Sequence, residues 1–120
     1  MTRASTSPSR VTTDRLHKAA PVFTALGDET RLRLVSRLCK EGPLSISMLT
    51  TGTSLSRQAV TKHLKVLSAA GLAQSGRRGR EQLWQIEARR MAEVQALLRQ
   101  IAAQWDDALG RLKAFVEKDS

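Results

Sequence analysis

Arg57, Gln58, Thr61, Lys62 and Lys65, with Ser56 just before them, recur at a spacing that gathers them largely on one side of a helix. Arginine and lysine can address guanine acceptors, glutamine can pair with adenine, and threonine serves a base edge or a thymine methyl, so these types suit the reading of a major groove. Val60, Leu64 and Leu67 fall on the opposite side, where they would dock the helix on a core. A charged helix face alone is ordinarily a solvated surface. Here the charge has one sign. Between Gly42 and Arg80 stand six basic residues, Arg57, Lys62, Lys65, Arg77, Arg78 and Arg80, and no acid, which concentrates the positive field. The last three lie in Gly76-Arg77-Arg78-Gly79-Arg80, a glycine-flanked cationic tip suited to phosphates or a narrow minor groove.

Other chemistries find no residues to carry them. No nucleophile is paired with a base, and the glycine-arginine tip lacks the strand-to-helix setting of a phosphate loop. Asp106-Asp107 stand on a helical stretch without a second carboxylate cluster, so no enzyme is expected and no cofactor. Cys39, His17 and His63 form no spaced metal-ligand set. Cys39 reads as a small, partly buried residue, His63 as packed beside the basic helix or meeting a phosphate, and His17 as near a helix surface. The aromatic residues Phe23, Trp84, Trp105 and Phe115 are expected in the core or at an interface between copies.

The bulk composition agrees with a polyanionic partner. Among 120 residues, 20 Lys and Arg against 11 Asp and Glu give a net charge of +9, and the sequence pI is about 11.1. No run approaches the roughly 18 apolar residues of a membrane span, so a soluble protein without a membrane partner is expected. A single cysteine fits a reducing compartment, and the cytoplasm of a bacterium is the expected setting. An RNA-binding module is a rival reading, but single-strand readers stack bases on exposed aromatics, which make up 3% of this chain. A non-specific architectural DNA binder would share the charge.

The elements that must position these residues can be traced along the chain. Residues 1–13, rich in Ser, Thr and Arg, read as a disordered basic tail before a single domain over 14–118. An organelle transit peptide is a rival reading of the first ten residues. Leu16, Ala19, Ala20, Phe23 and Leu26 describe a first helix, weakened by Pro21 and closed by Gly27. Asp28 caps a second, which ends at Gly42-Pro43. Ser45 caps a very short third, and Ser56 opens the basic helix, about 56–70. A tight turn between two capped helices lets the second project into a groove. Residues 72–86 read as a β-hairpin around the arginine tip, and 88–117 as one long helix. The expected fold is therefore mainly α with a small β-hairpin. The long helix spans roughly 40 Å, more than one small domain covers. Its stripe therefore implies a second copy of the chain, with Leu16, Phe23, Val94, Leu98, Ile101, Trp105 and Leu109 at the interface.

This order of elements, with ALGDETRLRLVSRL (25–38) and LSRQAVTKHLKVLSAAGLAQ (55–74), resembles the ArsR-type winged helix-turn-helix regulators over roughly residues 16–116. The resemblance implies a homodimer that represses transcription at a palindromic operator on double-stranded DNA and is released by a signal. It also places base contacts at Arg57, Gln58, Thr61 and Lys62 and a wing at Gly76 to Arg80. Where many such proteins hold a soft metal through two cysteines, this chain has Ser45 and Ser47, and it has no histidine after His63. Neutral hydroxyls do not replace thiolates, so no metal site is expected. An unidentified small-molecule effector, oxidation of Cys39, or the absence of any effector are the alternatives that remain.

Overall fold

The computed structural model describes residues 11–118, so most of the expected tail lies outside the described residues. Helix α1 (Thr13–Leu26) begins inside the span read as tail: the Thr12 hydroxyl accepts from the Arg15 amide and caps it. It runs through Pro21 unbroken. A proline in a helix interior costs about 3 kcal/mol through its missing N–H and its ring clash, and the burial of Val22 and Ala25 just after it offsets that loss.

Helix α2 (Glu29–Glu41) is capped by the Asp28 carboxylate and stopped at Gly42, whose φ of 80° is readily reached only without a Cβ. Helices α3 (Ile46–Thr50) and α4 (Arg57–Ala69) begin at the hydroxyls of Ser45 and Ser56. Each sends its apolar residues inward: Leu34, Val35 and Leu38 from α2, Leu49 from α3, and Val60, Leu64 and Leu67 from α4 form the core with Leu72 and Trp84. Trp84 is thus a core residue, as its type led us to expect.

The β structure is larger than a hairpin. Strands β2 (Ala73–Arg78) and β3 (Glu81–Ile86) pair antiparallel about a two-residue turn, with Gly79 supplying the positive φ at its first position. Strand β1 (Leu44–Ser45) adds to the free edge of β3, Leu44 opposite Trp84 and Ser45 opposite Leu83, giving the order β1-β3-β2.

Helix α5 (Ala88–Lys118) is about 46 Å long at 1.5 Å per residue. Its beginning lies on the body. Val94, assigned from its spacing to an interface between copies, is instead buried in its own protomer's core, as is Leu97. Beyond Ile101 every described residue of α5 is exposed, including Trp105 at 67%, Leu109 at 62% and Phe115 at 66%. On α1, Leu16 and Phe23 are exposed as well. No helix among the described residues is long and apolar enough to cross a membrane.

Candidate nucleic-acid interface

Local chemistry fixes where α4 starts and which way it faces. The Ser56 Oγ accepts from the Ala59 amide at 3.1 Å, so this residue acts first as the helix cap. With Val60, Leu64 and Leu67 wholly buried, the helix cannot rotate, and Ser56, Arg57, Gln58, Thr61, Lys62 and Lys65 line one shallow surface groove. Arg57, Gln58, Lys62 and Lys65 are exposed and Thr61 is half-buried. The Thr61 hydroxyl donates to the Arg57 carbonyl at 2.8 Å, which leaves its oxygen lone pairs to accept. Arg57 reaches sideways: its Nη1 donates to the Ser47 Oγ on α3 at 2.6 Å.

The wing carries Arg77, Arg78 and Arg80, all exposed. They do not form one cluster. Consecutive strand residues point to opposite faces, so Arg77, opposite Gln82, and Arg78, opposite Glu81, project from different sides of the hairpin. Arg80 sits in the turn. Glu81 lines a small cleft with Ser45, Ser47, Arg57 and Gln82, which puts a carboxylate beside the otherwise basic face. Its place just past the acid-free stretch was visible in the sequence; its closeness to Arg57 was not.

Behind the groove a polar cluster joins three helices. Arg31 donates through Nε to the Ala25 carbonyl at 2.6 Å, and its Nη1 lies 3.3 Å from the His63 Nδ1. That nitrogen is also 3.9 Å from the Asp28 carboxylate. The Arg31 amide, donating to Asp28 at 3.0 Å, holds this carboxyl below its ordinary value of 3.8, with the Arg31 and His63 charges adding to the effect. His63 therefore braces α4 against the junction of α1 and α2, half-buried beneath the exposed basic face.

The serines at the metal-thiolate positions of the resembled family are both engaged. Ser45 Oγ accepts from the Met48 amide at 3.2 Å, and Ser47 Oγ accepts from Arg57. Cys39 is exposed on α2, which corrects its reading as partly buried. His17 is exposed on α1, and no group of three or more His, Cys, Asp or Glu among the described residues could hold a metal ion.

A short helix, a turn, a docked helix with a basic outer face and a β-wing define the winged helix-turn-helix class of DNA-binding protein. Residues 26–74 match the helix-turn-helix domain family. The uncharacterised HTH-type transcriptional regulator YuzN of Bacillus subtilis is 40% identical over 65 residues, covering 49% of this chain and 71% of that protein. The ArsR-like transcriptional regulator from Rhodococcus sp. RHA1 superposes with a TM-score of 0.72 at 35% identity, covering 86% of this chain and 96% of its own. The homodimeric winged helix-turn-helix DNA-binding domain of Mb0332 from Mycobacterium bovis superposes with a TM-score of 0.61 over 85% of this chain and 92% of its own; at 24% identity it speaks to the fold alone. The chain belongs to the ArsR-like family of helix-turn-helix transcriptional regulators.

Proposed function

We propose that the protein is a homodimeric, sequence-specific repressor that binds a palindromic operator in the cytoplasm and does not respond to metal ions. The observation that carries the DNA reading is α4 itself, locked in rotation by three wholly buried side chains while Arg57, Gln58, Lys62 and Lys65 stand outward. Arg57, Gln58, Thr61 and Lys62 address base edges, Lys65 and the wing arginines address phosphates, and Ser56 serves through its capping of the helix. Two copies of α4 related by a two-fold axis would demand a palindrome.

The dimer rests on α5. Leu98, Trp105, Leu109, Leu112, Phe115 and Val116 are exposed, and Leu16 and Phe23 extend the apolar surface onto α1. A second copy covers them, with Ile101 at the same seam. The engaged serines support a protein that does not sense metal, with control through protein level ranked ahead of Cys39 oxidation and an organic effector. Footprinting on the protein's own promoter region, beside binding to random DNA of equal length, tests the reading. A protected palindrome with strong preference over random DNA supports it, whereas equal affinity for both indicates an architectural DNA binder.

A further inference from the structure

The arginine at the start of α4 is held by Ser47, whose side chain caps no helix. Helix α3 is capped by Ser45, not Ser47. The main chain of Ser47 is fixed, since its carbonyl accepts from the Thr51 amide at 3.2 Å and from the Thr51 hydroxyl at 2.9 Å. Its side-chain oxygen is thereby presented from a fixed point, and it meets the Arg57 Nη1 at 2.6 Å across the helix-turn-helix. A guanidinium is a planar fork of five N–H donors. One bond at Nη1 leaves the edge formed by Nε and Nη2 whole, and two parallel donors on one edge are what bidentate pairing with guanine requires. Glu81 lines the same cleft and offers a carboxylate toward which an unheld guanidinium would be drawn.

We infer that Ser47 is a positioning residue for DNA recognition: its hydroxyl sets the rotamer of Arg57 so that the Nε–Nη2 edge faces a guanine, and it thereby governs preference at one base pair without touching the DNA. This rests on α4 being the reading helix. The long arginine stem loses rotamer freedom on binding, and the Ser47 bond removes much of that freedom beforehand.

The test uses the full chain, a duplex selected by the wild-type protein from random sequence, and a permuted duplex of equal length. Ser47→Ala should weaken binding to the selected duplex about three- to tenfold, the range of one net hydrogen bond. Affinity for the permuted duplex and the slope of log K against log salt should stay unchanged. Ser47→Thr, which keeps the hydroxyl, should restore binding, and Ser47→Ala should have no further effect in an Arg57→Ala background. An equal loss on both duplexes, a loss that persists without Arg57, or no loss at all overturns the inference. Unaltered melting temperatures of the variants separate these results from misfolding. If Arg57→Ala itself leaves the preference for the selected duplex intact, it is the reading-helix assignment that fails.

Discussion

Trp105→Ala is the sharpest probe of the proposed seam between copies. The indole is 67% exposed in the single protomer and lies beyond the stretch of α5 that rests on the body. An aromatic side chain of this kind buries on the order of 200 Å² when covered, so about 130 Å² remains to be covered by a partner. At about 25 cal/mol per Å² this is roughly 3 kcal/mol per side chain, and the two-fold counts it twice. Interface area converts poorly to affinity, so we take about half of the doubled figure, which still weakens dimerisation about a hundredfold or more. Sedimentation across a concentration series reads this directly, and operator binding should fall with the loss of dimer. Because Trp105 is absent from the protomer core, far-ultraviolet circular dichroism of the variant should still show the same helices. A variant that dimerises with wild-type affinity would refute the reasoning and move the interface elsewhere.

Arg57→Ala or Gln58→Ala should relax preference at particular base pairs at about 1 to 3 kcal/mol, whereas Ala at Arg77, Arg78 or Arg80 should weaken all sequences alike and flatten the salt slope by about one unit per contact; binding to selected and permuted duplexes checks both. Titration with zinc, cadmium, copper(I) or arsenite, on wild type and Cys39→Ser, should change operator affinity by less than about tenfold, about 1.4 kcal/mol of coupling. The Asp28 carboxyl is held below 3.8, so its contribution to stability is fully present above that pH and is lost as pH falls through the folded-state value. The stability gap between wild type and Asp28→Asn, read from urea midpoints, should accordingly narrow from pH 7 toward pH 3 (about one unit below the usual carboxylate range).

Helices α2 and α4 were legible because each carries two independent signals, an apolar period and a capping residue, Asp28 before Leu34, Val35 and Leu38, and Ser56 before Val60, Leu64 and Leu67, whereas α1 and α5 were read from the apolar period alone. Strand β1 was not, since two residues are too few to show a period and it exists only because the edge of β3 comes to lie beside it. Val94 fits the apolar stripe of α5 as well as Leu98 does; what separates them is where the body ends, a property of tertiary placement. The same limit applies to Cys39, whose spacing from Val35 sets it beside a buried face that no neighbour extends to cover. The opposite faces of Arg77 and Arg78 were missed as well, because Gly76 to Arg80 reads as one cationic tip, whereas β2 runs through Arg78 and leaves only Gly79 and Arg80 to the turn. The link from Arg57 to Ser47 spans ten positions and a turn, and no local pattern encodes it.

Strand β1 also couples two parts that would otherwise move separately. Ser45 pairs with Leu83 of the wing and, through its own hydroxyl, caps the helix that leads into α4. The hairpin and α4, the helix proposed to read DNA, are thus tied together through β1 and α3, and the spacing between them is set by the protein. In a complex, a duplex whose grooves do not match that spacing must itself narrow, widen or bend, at an energy that depends on the stiffness of its base steps. On the proposed reading, evolution of the binding site is then constrained by the mechanics of base pairs lying between the helix and the wing, including those that no side chain reaches.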